Sequence, residues 1–159
     1  MEGTRWRTSE CHSIDADPDA DVLTGIDVER VLVNEEWLIF TGGGEGVALV
    51  VEGDCCSTSY WHDIIGVDKL LSGGPIISAE WIDFEVVEND GVEEIKAWGL
   101  RIVTEGPFGE WTTAASIRNR SNGYYGGWAA AVVATNTGLL INLTADCVDV
   151  PDLLAAEDA

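Results

Sequence analysis

Ile82-Asp83-Phe84-Glu85-Val86, followed by Asn89-Asp90-Gly91 and then by Trp98, Leu100 and Ile102, decides the fold class. Apolar and acidic residues alternate here with a period of two, and neighbours on an extended chain point to opposite faces. The run is therefore a strand with one wet face. Asp-Gly is a tight-turn signal because its second residue readily takes a positive φ, so the two apolar runs fold back on each other. Outward from this hairpin the period persists. Val28, Val31 and Val33 lead into an Asn34-Glu35-Glu36 turn, and Trp37 to Phe40 runs to Gly42-Gly43-Gly44. Val47 to Val51 is a continuous apolar run and reads as a buried strand. Trp111, Thr113, Ala115 and Ile117 alternate again, and Ala129–Ala134 and Leu139–Leu143 complete the set.

One helix is expected among the strands. Ser57 or Ser59 supplies a hydroxyl cap, Trp61, Ile64, Ile65, Leu70 and Leu71 an apolar stripe, and Gly73-Gly74-Pro75 an end, with Gly66 able to split it in two. Strands joined by short turns plus one main helix packed on a face make an α+β fold of mostly antiparallel sheet. Residues 1–21 read as an acidic, flexible tail, 22–150 as a single α+β domain, and 151–159 as an acidic end with one helical turn near Leu153 and Leu154.

Composition bounds the function. The 159 residues suit one domain, and 46% hydrophobic content with seven Trp argues against disorder despite a net charge of −21. Twenty-nine Asp and Glu against eight Lys and Arg repel nucleic acid and membrane phosphates, so neither is an expected partner. No apolar run reaches bilayer length, and no signal-type stretch opens the chain, which places the protein in the cytoplasm. Four cysteines suit a reducing compartment. Cys55 and Cys56 are adjacent and ill placed to bond to each other, whereas Cys11 and Cys147 can meet in space. The acidity itself has two readings: a solubilising surface, or a polyanion mimic that occupies a DNA-binding partner.

Chemistry has two candidate locations. Cys55, Cys56 and His62 invite zinc or a Cys–His nucleophile. Their spacing fits no usual zinc motif, and no third group orients the imidazole, so tight packing at a strand-to-helix junction is the reading adopted and no metal is expected. The second location is richer. From Trp111 through Ala145 there is no acidic residue, and within this stretch lies Ile117-Arg118-Asn119-Arg120-Ser121-Asn122-Gly123-Tyr124-Tyr125. Guanidinium forks match phosphate oxygens in pairs, Ser and Asn add neutral hydrogen bonds, Gly lets backbone amides approach, and aromatic rings stack on a base. The plainer alternative is a Gly-rich hairpin turn whose arginines answer acids on neighbouring strands.

The order Gly53-Asp54-Cys55-Cys56-Ser57, Asp63-Ile64-Ile65-Gly66, Pro75-Ile76-Ile77-Ser78-Ala79-Glu80 and Ser121-Asn122-Gly123-Tyr124-Tyr125 resembles small phage proteins similar to the first class of Thoeris anti-defence proteins. The resemblance covers roughly residues 45–135. It implies a non-enzymatic oligomer that captures a cyclic ADP-ribose signal made by a host TIR enzyme without degrading it; some such proteins also hold cyclic oligonucleotides. It also implies no cofactor. The ligand site is expected at Arg118, Asn119, Arg120, Ser121, Asn122, Gly123, Tyr124 and Tyr125, the stretch that composition singles out, with Arg101 from the preceding strand. Departures exist. The family's arginine lies farther upstream of the Ser-Asn-Gly element, so either Arg118 or Arg120 takes its role, or neither does. The family's aromatic-rich strand reads here as Trp98-Gly99-Leu100-Arg101, and the acidic N-terminal extension is extra.

Overall fold

The structure, a computed structural model, describes residues 20–53, 57–121, 127–134 and 146–153. The hairpin expected around Asn89-Asp90-Gly91 is present. Strand β5 (Ile76–Asn89) and strand β6 (Glu94–Gly106) pair antiparallel, ending at Asn89 opposite Glu94. Between them the Asp90 carboxylate accepts hydrogen bonds from the amides of Val92 and Glu93 at 2.9 and 2.7 Å. Strand β7 (Gly109–Ser121) returns along β6, and strand β4 (Thr58–Ile65) lies on its other side, giving a sheet of order β4-β7-β6-β5.

A second sheet, of order β8-β3-β2-β1-β9, is built from β1 (Arg30–Val33), β2 (Trp37–Gly42), β3 (Glu45–Gly53), β8 (Gly127–Ala134) and β9 (Val148–Asp149). All pairings in both sheets are antiparallel. The β1–β2 turn is the expected one, with the Asn34 side chain accepting from the amides of Glu36 and Trp37 at 2.8 and 2.7 Å. Gly43 and Gly44 turn β2 into β3 with φ of 63° and 80°, the positive pair that a two-residue hairpin of matching twist requires.

The sheets share one core. Val31, Leu38, Phe40, Val47 and Leu49 from one meet Trp61, Trp81, Trp98, Leu100, Ile102 and Ile117 from the other. Period-two patterning accounts for it, since each of these strands sends every second side chain inward. The reverse face of the β1–β2–β3 sheet also buries Leu32, Ile39 and Ala48, with Trp37 and Cys147 against them. This is why Val47–Val51 reads as unbroken apolar sequence. Residues 20–23 form a 3-10 turn whose Ala20 and Leu23 enter the main core.

The fold is α+β and mostly antiparallel sheet, but the helix is shorter than its sequence pattern. Helix α1 spans only Val67–Ser72, buries Val67 and Leu70 and packs against β6 and β7. Its N-cap is Gly66, in the left-handed region at φ 85°, rather than Ser57 or Ser59. The residues ahead of it, Thr58–Ile65, are strand β4. A bulge between Trp61 and Asp63 is the reason. Ser59 and Trp61 alternate inward, then the extra residue shifts the phase so that Ile64 is the next to turn in; Trp61 and Ile64 thereby imitate the three-residue spacing of a helix.

Ile82 and Val86 also depart from expectation, remaining 42% and 50% exposed. They lie on an edge strand interrupted by three register shifts. It is 14 residues long, whereas the described strands of the facing sheet have nine at most. The strand expected at Leu139–Leu143, the cysteines Cys11, Cys55 and Cys56, and the side chain of Phe84 lie outside the described residues. Among the described residues no helix is long and apolar enough to cross a membrane.

Candidate functional site

Strand β7 sorts its own polar residues. Ile117, Asn119 and Ser121 turn into the protein and are buried, so Arg118 and Arg120 share the opposite, outer face, about 7 Å apart along the strand. Tyr60 stands directly opposite Arg118 and Thr58 opposite Arg120. The Arg120 guanidinium carbon lies 6.0 Å from the centroid of the Tyr60 ring, within reach of a cation–π contact. His62 meets the same ring edge-on at 6.3 Å. Arg120 also approaches Glu93, Nε to Oε1 at 3.3 Å, with both side chains half exposed. Such a pair is weak and readily exchanged.

Arg118 differs. Its Nε is sealed from solvent and has no acceptor among the described residues. A buried donor left without a partner costs about 1–3 kcal/mol, which an acceptor brought by water or a ligand recovers. Asn119, on the inner face, donates from its amide to the Ser59 hydroxyl at 2.9 Å, tying β7 to β4. Its own carbonyl oxygen is buried without a donor among the described residues.

Beside Arg120 opens a cavity of about 660 Å³, lined by Tyr60, Ser57, Thr58, Ser59, Val51, Gly53 and the carboxylates Glu35 and Glu36. Its polar wall is a run of hydroxyls with one guanidinium and two carboxylates. A Cβ on Gly53 would come within 2.5 Å of the Ser57 hydroxyl, so glycine lets β3 and residue 57 approach this closely.

The structure brings together Arg118 and Arg120 on the outer face. It places Asn119 and Ser121 behind them in the interior. Arg101 occupies the same outer face of β6 but stands opposite Ala114, about 13 Å along the strands from Arg118, and is ion-paired with Glu80. Asn122, Gly123, Tyr124 and Tyr125 lie outside the described residues. Tyr60, Thr58 and Glu36 were not identified from sequence, because a helix over 57–65 hides which residues face β7. Alternation within Ser57-Thr58-Ser59-Tyr60-Trp61 is the signal that finds them. Among the described residues no three metal-ligating side chains converge. No family model matches the chain, and neither a curated protein nor a solved structure matches it.

Proposed function

We propose that this protein is a non-enzymatic binder that sequesters a small phosphorylated ligand, and that the ligand is a cyclic nucleotide immune signal of the cyclic ADP-ribose type. The observation that carries the reading is the Arg118–Arg120 face. One guanidinium holds a buried donor without an acceptor among the described residues, and the other stands over Tyr60 at the mouth of a cavity with hydroxyls in its wall. A phosphate supplies acceptors in pairs. A base or ribose finds an aromatic ring and hydroxyls beside them. In a chain of net charge −21, two guanidiniums on one face concentrate positive charge beside Glu35, Glu36 and Glu93.

Sequestration asks for donors, stacking faces and hydroxyls, and no proton has to move. With the resemblance to Thoeris anti-defence proteins, the proposal is an oligomeric, phage-encoded sponge acting in the host cytoplasm. A second reading is supported by Glu35 and Glu36 in the same cavity wall and Glu93 on Arg120. In it, the acidic surface holds a basic partner protein and the arginines only answer acids.

Native mass spectrometry of the protein purified from cells with an active TIR defence enzyme separates the two. The sponge retains a cyclic nucleotide mass on an oligomer, and the mass is lost in Arg118→Ala or Arg120→Ala. Protein that emerges without nucleotide from such cells supports the acidic interaction protein instead.

A further inference from the structure

Strand β4 borders a second cavity, of about 540 Å³, on the far side of its bulge. Its deep part is core: Leu38, Ala115 and Val150 are buried and line it. Trp61 forms a further wall, and its indole is anchored, Nε1 donating to the Glu36 carbonyl at 3.1 Å while its backbone amide donates to that of Glu35 at 2.9 Å. Among the described residues, the polar ones that line this cavity are Asn34, His62 and three carboxylates, Glu35, Asp63 and Asp146, with no Lys or Arg. Val148 and Leu153 also line it and leave large apolar side chains exposed.

A concave site of this size with apolar walls and a few convergent polar groups is what small-molecule pockets share. The polar groups set the sign. Carboxylates beside a low-dielectric wall attract a cation and exclude an anion, and an indole is the best aromatic partner for a cation. The apolar floor, out of reach of water once filled, rewards an apolar body by about 25 cal/mol per Å². We propose that this cavity is a second binding site, for a small organic cation with an apolar body, of the arylalkylammonium class. It shares Glu35 with the cavity beside Arg120, but the proposal does not depend on what that cavity binds.

Phenethylammonium, phenethyl alcohol and phenylacetate share one skeleton and differ in charge, so they test this together. The readout is the Trp61 indole N–H resonance, assigned by its disappearance in Trp61→Phe. Phenethylammonium should shift it saturably, the alcohol should bind about tenfold more weakly, and phenylacetate should leave it unmoved. Salt should weaken the ammonium and leave the alcohol unchanged. The exposed Glu35, Asp63 and Asp146 can be changed together to Gln, Asn and Asn without disturbing the core, and that variant should bind the ammonium no better than the alcohol. A Trp61 resonance unmoved by phenethylammonium overturns the site. Equal binding of ammonium and alcohol to the unchanged protein overturns its cation preference.

Discussion

Strand β4 walls two cavities with one backbone. Its first half, with Ser57 just ahead of it, lines the cavity beside Arg120 with Thr58, Ser59 and Tyr60. Its second half presents Trp61, His62, Asp63 and Ile64 toward Leu38, Ala115 and Val150. Glu35 belongs to both, and the bulge after Trp61 marks the change. One half gathers hydroxyls, a guanidinium and two carboxylates, the other apolar walls and three carboxylates. A net charge of −21 therefore does not fix what each region attracts; over a few ångströms the nearest charged groups outweigh the sum, because distant exposed charges are screened.

Emptying the core position on β4 should have the largest effect. Trp61→Ala empties a core position that faces both sheets and should cost about 3–5 kcal/mol of stability, read as a lower midpoint in chemical denaturation. An unmoved midpoint would mean that β4 does not hold the two halves together. Next come the arginines. Arg120→Ala or Arg118→Ala should weaken anion binding by about 1.5–3 kcal/mol, one to two decades in affinity, while leaving phenethylammonium binding unchanged. Arg101→Ala, at the Glu80 pair, should change either affinity only a few-fold. Equal losses at all three arginines would dissolve the distinction drawn along the outer face.

A smaller effect is expected inside. Asn119→Ala breaks the buried bond to Ser59 but also removes a carbonyl oxygen without a donor among the described residues, so the net cost should be about 1 kcal/mol. It should loosen the hydroxyl side of β4 and spare the Trp61 side, which indole and amide resonances report separately.

The smallest effect belongs to the β5–β6 turn, whose Glu93 side chain pairs with Arg120. The Glu93 amide, and then the Val92 amide, hold the Asp90 carboxyl below the ordinary aspartate value. A carboxyl depressed on folding contributes stability above its unfolded value and loses it as pH falls through the folded one. Amide-exchange protection at Val92 and Glu93 should hold at neutral pH and fade below about pH 3.9. Asp90→Ala should lack this step.

Most of the sheet framework was legible because its signals are local. Trp98, Leu100 and Ile102 alternate, Asn89-Asp90-Gly91 turns, and Gly43-Gly44 supplies two positive φ angles. What the sequence hides is lateral. Nothing in Ser59 or Tyr60 announces that they pair with Asn119 and Arg118, some sixty positions away. The bulge at Trp61 makes β4 resemble a helix, which removed Tyr60 from view. Arg101 and Arg118 look equivalent as arginines of one sheet until register separates them. The acid-free stretch from Trp111 did point to the strand that carries Arg118 and Arg120, but it could not show that pairing brings Glu93 against Arg120 and Glu35 and Glu36 beside it.

Isothermal titration calorimetry with cyclic ADP-ribose isomers tests the central proposal most directly. The account predicts saturable heat, abolished or weakened by one to two decades in Arg118→Ala or Arg120→Ala, with ligand recovered intact after heat denaturation. No heat from the unchanged protein at high micromolar ligand contradicts it.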